Sequence, residues 1–136
     1  MGTPYAHGRN ALAAYRPLHG EQLASGRQEI ILGDIDAKRD CVYIDDLVNA
    51  FILAIEGKGY SGISTYNICT GLGSSASQIV KIISKIKGVD IKVKRNPALF
   101  RVDEMKNEYG SYEKAKRYLG WKPKYSLKEG LQKLIV

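Results

Sequence analysis

Three groups of residues have the types and spacing to do chemistry. The first is Gly71-Leu72-Gly73-Ser74-Ser75-Ala76, which matches the G-x-G-x-x-A pattern of dinucleotide-binding turns. In that pattern the glycines let a pyrophosphate approach a helix N-terminus, where free backbone N–H groups and the helix dipole hold it. The order of the flanking residues speaks against this use. A ribose-binding acid belongs at the end of the second strand about 20 residues on, whereas Asp90 precedes the strand-like Ile91-Lys92-Val93-Lys94. The plainer expectation is a capped turn. The second group is the Tyr-x-x-x-Lys spacing, in which a lysine lowers a tyrosine's pKa for proton transfer. It occurs at Tyr112/Lys116 and Tyr118/Lys122, in a chain with nine tyrosines and many lysines. Gly120 splits the second pair with a helix end, and neither pair is expected to be catalytic. The third group is the arginines flanked by acids, Lys38-Arg39-Asp40 and Arg101-Val102-Asp103-Glu104. A guanidinium fork suits a diphosphate, and a neighbouring carboxylate can accept from ribose hydroxyls. Such arginines also form ordinary surface ion pairs.

The elements that must position these groups follow from periodicity. Glu29 to Leu32 is a short apolar run closed by Gly33-Asp34, and Val42-Tyr43-Ile44 reads as another strand. Asp45 or Asp46 can cap a helix ending at Gly57, with Leu47, Val48, Phe51, Ile52 and Ile55 as its core face. Thr65 to Cys69 is strand-like and leads into the Gly71 turn. Ser75 and Gln78 have capping-box spacing for a helix bearing Ile79, Val80, Ile82, Ile83 and Ile86, stopped by Gly88. A half-exposed strand over Ile91 to Lys94 and a Pro97 loop follow. A short helix runs from Ser111 through Leu119, and Ser126 with Glu129 caps a last helix. Alternating helices and strands favour an α/β or α+β layer architecture. Met1 to Gly26 shows no sustained period, and His7 and His19 within it have no partner at ligand spacing.

With 136 residues, 44% hydrophobic and 26% charged, the chain has the composition of one ordinary globular domain. No apolar run approaches the roughly 20 residues of a membrane span, and the first ten residues lack a secretory core. The expected location is cytoplasmic, with Cys41 and Cys69 as reduced, buried side chains rather than a disulfide or metal site. Charge is uneven. Residues 1–80 carry a net −2 and residues 81–136 a net +9, which admits an anionic partner. Lys81, Lys85, Lys114 and Lys128 fall on outer helix faces, so a solvated surface is expected and nucleic acid is disfavoured. A small basic module for nucleic acid or protein is the alternative function.

Read in order, three blocks carry a resemblance: Arg39-Asp40-Cys41-Val42-Tyr43-Ile44-Asp45-Asp46-Leu47-Val48, Tyr66-Asn67-Ile68-Cys69-Thr70-Gly71, and Leu119-Gly120-Trp121-Lys122-Pro123. They resemble the R-D-[FY]-V-[YH]-V-x-D-[LV]-V, Y-N-[VI]-x-[ST]-G and L-G-[WF]-x-P segments of the NAD-dependent epimerase/dehydratase family, the extended short-chain dehydrogenases that act on nucleotide sugars. Ile31 to Asp40, with Asn96-Pro97 and Arg101 to Glu104, looks most like the GDP-mannose 4,6-dehydratases and GDP-4-keto-6-deoxymannose reductases. The resemblance implies an α/β fold: the C-terminal part of a Rossmann-like protein, with its small substrate-binding domain over residues 28–136 and a poorly matching segment over 1–27. It implies that Arg39 and Arg101 contact a nucleotide diphosphate and Glu104 its ribose. Val102 stands where the family has proline and Cys41 where it has an aromatic. The family's Gly-rich loop, Ser/Thr and Tyr-x-x-x-Lys lie upstream of what aligns, so no catalytic residue is assigned here. No cofactor is expected to be bound by this chain alone, NAD(P) being implied for an intact member. A truncated gene, a frameshift or a misplaced start codon would account for that. The expected partners are a nucleotide-diphosphate sugar and either a missing N-terminal half or further copies of the chain, with no membrane.

Overall fold

The computed structural model describes residues 29–57, 63–100 and 105–135. His7, His19, Arg101 and Glu104 lie outside them. Two small sheets and four helices are seen among the described residues. Strand β1 (Glu29–Leu32) pairs in parallel with β4 (Lys92–Arg95), from Glu29 opposite Lys92 to Leu32 opposite Arg95. Helix α2 (Ala76–Lys87) covers this sheet, and α4 (Leu127–Ile135) packs on α2. The buried side chains Ile30, Ile79, Val80, Ile83, Ile91 and Leu131 form one core. The amphipathic spacing of α2 dictates it, because Ile79, Val80 and Ile83 share one face. The Ser75 capping box fixes where α2 starts: Ser75 Oγ accepts from Gln78 N while Gln78 Oε1 accepts from Ser75 N. Gly88, at φ 66°, ends it in the left-handed region that favours glycine.

The second sheet is mixed. Strand β2 (Lys38–Asp40) lies between β3 (Gly73–Ser75), antiparallel, and β5 (Asn107–Glu108), parallel. Helices α1 (Ile44–Glu56) and α3 (Glu113–Leu119) meet over a second core of Ala50, Ala115 and Trp121. Trp121 is fully buried, and its indole Nε1 donates to Asp46 O at 2.8 Å. Asp46 is only 1% exposed, and its carboxylate accepts from Lys124 N and Tyr125 N at 3.0 to 3.1 Å. A buried carboxylate so satisfied fastens the first turn of α1 to the loop between α3 and α4. The capping pair Ser126 and Glu129 then forms at the start of α4, as its spacing predicts.

Four expectations are corrected. The strand lies at Lys38–Asp40, because those residues face β3 and β5. Val42 instead packs on the Trp121 core, Tyr43 is the extended N-cap residue of α1, and Ile44 is helical. Neither Asp45 nor Asp46 caps α1, since no side chain does. The face of α1 that turns inward is also not the one its large side chains mark. Asp46 and Ala50 are buried and Leu53 packs against the Trp121 core, whereas Val48, Phe51, Ile52 and Ile55 are exposed. Ala50 is small enough to let α1 approach Ala115 and Trp121, and the Asp46 contacts set the helix's rotation. Finally, Thr65 to Cys69 has no strand partner among the described residues.

Candidate functional site

Arg39 sits in the middle strand of the mixed sheet, in register with Glu108 on β5 and Ser74 on β3. Its Nη1 donates to Lys38 O at 2.8 Å and to Met105 O at 2.7 Å, and its Nε lies 3.2 Å from Glu108 Oε2. The guanidinium is thereby oriented by the Lys38 carbonyl of its own strand, the Met105 carbonyl just before β5 and the Glu108 carboxylate within it. Lys38 N donating to Lys106 O at 2.8 Å closes the same junction. Glu108 is largely exposed, so water screens the pair, which is worth at most about 1 kcal/mol. Its consequence is orientation rather than stability.

The neighbouring Asp40 determines what the Gly71 turn can do. Its Oδ1 accepts from Thr70 N at 2.8 Å and Thr70 Oγ1 at 2.6 Å, and its Oδ2 accepts from Gly71 N at 2.8 Å. Gly71 stands at φ +77°, where a side chain would be strained. The N–H groups that a phosphate would need therefore already hold a carboxylate of this chain. Gly73 and Ser74 are paired with β2, and Ser77 N donates to Ile35 O at 3.1 Å. The turn does not fit a dinucleotide pyrophosphate, in agreement with the expected capped turn.

The Tyr-x-x-x-Lys spacings also serve other ends. Tyr112 packs edge-on against Trp121 with ring centroids 6.0 Å apart, and Lys116 pairs with Glu113 at 3.6 Å. Gly120 ends α3 at φ 67°, between Tyr118 and Lys122. Both cysteines are free thiols, Cys69 buried and Cys41 half-buried. Burial pushes both above the usual thiol range, and the negative Asp40 adds to the effect. Raised thiols of this kind are poor nucleophiles at neutral pH. Among the described residues no group of His, Cys, Asp or Glu is placed to hold a metal ion. No helix there is long and apolar enough to cross a membrane. Lys81, Lys85, Lys114 and Lys128 are all exposed, as their helical spacing predicts.

Of the three expected site residues, only Arg39 is among the described residues. Sequence reasoning missed Glu108 and the Met105 carbonyl, which orient it across more than sixty residues of chain, and offered Asp40 as a ribose acceptor, whereas its carboxylate holds Thr70 and Gly71. The strand register that joins them leaves no mark in local spacing. A weak signal existed in Asp40, as a carboxylate preceding a run with no cap of its own.

The sequence profile of the GDP-mannose 4,6 dehydratase family matches residues 17–134. The chain belongs to the NAD-dependent epimerase/dehydratase family. It is 28% identical over 113 residues to the GDP-6-deoxy-D-mannose reductase of Pseudomonas aeruginosa, covering 83% of this chain and 36% of the reductase. To the UDP-glucose 4-epimerase of Mycolicibacterium smegmatis it is 30% identical over 129 residues, covering 95% and 39%. Among solved structures it superposes on the Thermotoga maritima UDP-glucose 4-epimerase, determined with UDP-glucose, with a TM-score of 0.71 and 34% identity over 93% of this chain and 38% of that one. The family member thus spans well under half the length of these relatives. Its fold is that of the C-terminal part of the extended short-chain dehydrogenases, as the three sequence blocks imply.

Proposed function

We propose that this chain forms the nucleotide-sugar binding portion of an NAD(P)-dependent sugar-nucleotide dehydratase, reductase or epimerase, and that it positions the sugar nucleotide without carrying out the chemistry alone. In this reading Arg39 and Arg101 engage the diphosphate and Glu104 the ribose. The observation that carries it is the bond from Arg39 Nη1 to Met105 O at 2.7 Å. Met105 directly follows the Arg101 to Glu104 run in the sequence. That guanidinium is held in a fixed direction by Met105 O and Glu108 Oε2. A guanidinium fork so held suits a nucleoside diphosphate, each charge-assisted contact contributing roughly 1.5 to 3 kcal/mol. The work of such a site is positioning, with binding energy spent on orienting the sugar. NAD(P) would supply the redox chemistry in an intact protein, and it would be held by residues other than the described ones.

Thermal unfolding with added nucleotides tests this. Saturating GDP or UDP, at about 100 times Kd, should add roughly 2.7 kcal/mol of stability, AMP should add less, and Arg39→Ala should abolish the difference. Equal shifts with all three nucleotides in the folded chain would refute it. Affinity that collapses with salt and is indifferent to diphosphates would point to the basic module instead.

A further inference from the structure

The register of the mixed sheet gives Arg39 two fixed neighbours. It stands opposite Ser74 on β3 and opposite Glu108 on β5. Neighbouring strands lie about 4.8 Å apart, and side chains at paired positions project from the same face. Ser74, Arg39 and Glu108 therefore form a row across one face of the sheet: a hydroxyl, a cation and an anion. Each is at least partly exposed, Glu108 at 59%. Orientation of the guanidinium does not need the anion, because Arg39 Nη1 already donates to two neutral carbonyls, Lys38 O and Met105 O. The exposed ion pair also adds little to stability. What Glu108 brings, and the carbonyls do not, is a full negative charge 3.2 Å from Arg39 Nε.

A negative charge at that point bears on which phosphate the guanidinium takes. The terminal phosphate of a nucleoside diphosphate, like any phosphate monoester, carries a charge of about −1.5 to −2 near pH 7. Esterified to a sugar, the same phosphate has lost its second ionisable oxygen. An anion beside the guanidinium therefore repels the free nucleoside diphosphate more than the sugar nucleotide. The rest of the chain pulls the other way. Its net charge of +7 draws the more highly charged free nucleotide in preference. Without a local counterweight, the site would favour the free diphosphate over its sugar ester. Glu108 is placed to be that counterweight. Its contact with Arg39 matters, because salt screens exposed charges that lie more than about 10 Å apart at 0.1 M.

We infer that Glu108 is a specificity-determining residue of the Arg39 site, turning it away from free nucleoside diphosphates and toward diphosphates esterified at both ends. This rests on the reading that Arg39 engages the diphosphate, and adds which charge state of it is accepted. Calorimetric titration of the 136-residue chain tests it, with GDP against GDP-mannose and UDP against UDP-glucose, at low ionic strength where surface charges are least screened. Glu108→Gln should strengthen binding of the free diphosphate about fivefold and change that of its sugar ester by less than about twofold. Glu108→Asp, which keeps the charge, should retain most of the parent's preference. Both variants should unfold in urea near the parent's midpoint, since the pair they alter is exposed. A residue that merely held Arg39 in place would weaken both ligands together in Glu108→Gln and leave their ratio as it was, and that result would overturn the inference. So would a ratio unchanged with both affinities intact. If no ligand of either pair binds, or if Arg39→Ala binds them as tightly as the parent, the reading of the site itself fails and the role of Glu108 falls with it. That failure is distinct from an unchanged ratio at a site whose binding Arg39→Ala abolishes.

Discussion

Asp46 shows how a single side chain can settle a structure that its helix pattern leaves open. It is an acid in the first turn of α1, where the helix dipole favours negative charge, yet its carboxylate turns away from the helix to take the backbone N–H groups of Lys124 and Tyr125. Its own carbonyl takes the Trp121 indole. Asp46→Ala would leave two N–H groups without their acceptor beside a buried tryptophan. The expected loss is roughly 3 kcal/mol of stability, since the bonds broken are to a charged and buried group. Asp46→Asn keeps one oxygen acceptor and should cost less. Urea titration followed by Trp121 fluorescence reads both, and equal stability of the alanine variant and the parent chain would show that the latch does not hold the two elements together. Asp40 plays the same kind of part for the Gly71 turn, where a carboxylate stands in the place a phosphate would need.

At the scale of elements, α1 separates burial from hydrophobicity. Ala50→Leu would drive three extra carbons between α1, Ala115 and Trp121, and overpacking of that kind costs roughly 1 to 3 kcal/mol. Ile55→Gln, at an exposed position, should change the stability of the chain by no more than about 0.5 kcal/mol. If calorimetry ranked the two the other way, the inward face of α1 would be wrongly assigned. Periodicity located α1, α2, α3 and α4 well, because caps such as Ser75 with Gln78 and stops such as Gly88 and Gly120 are local in sequence. It chose the wrong face of α1 because a pattern reports which side chains avoid water, not which surface is available to cover them. It placed a strand at Val42 to Ile44 for a related reason: pairing depends on β3 and β5, more than thirty residues away in sequence from β2. The site was legible to the same degree. Arg39 stands out by residue type, whereas Glu108 becomes meaningful only through the register of two parallel strands.

Over the whole molecule, groups with displaced ionisation bound stability from both sides of neutrality. Asp34 lies below its ordinary 3.8, chiefly because Asp36 N donates to it, and Glu129 lies below its ordinary 4.5, chiefly because the Ser126 hydroxyl donates to it. A carboxyl with a depressed folded value stabilises the fold above its unfolded value, and that stability is lost as pH falls through the folded one. The thiols run the other way. Cys41 and Cys69 are raised above 9.0, mainly by burial and then by Asp40. Their contribution is complete below 9.0 and is lost as pH rises toward the raised values, because the unfolded chain ionises first and gains from it. Denaturant unfolding across pH should therefore give a plateau near neutrality with a decline on each side. Replacing both cysteines by alanine should flatten the decline above pH 9, and Glu129→Gln should shallow the acid limb without touching the basic one. A basic limb unchanged by the double cysteine variant would mean that the two thiols ionise as freely in the folded chain as in the unfolded one. The burial of Cys69 against Gly110, whose added Cβ would lie 3.1 Å from the Cys69 sulfur, makes that outcome the one that would unsettle the packing described for this part of the molecule.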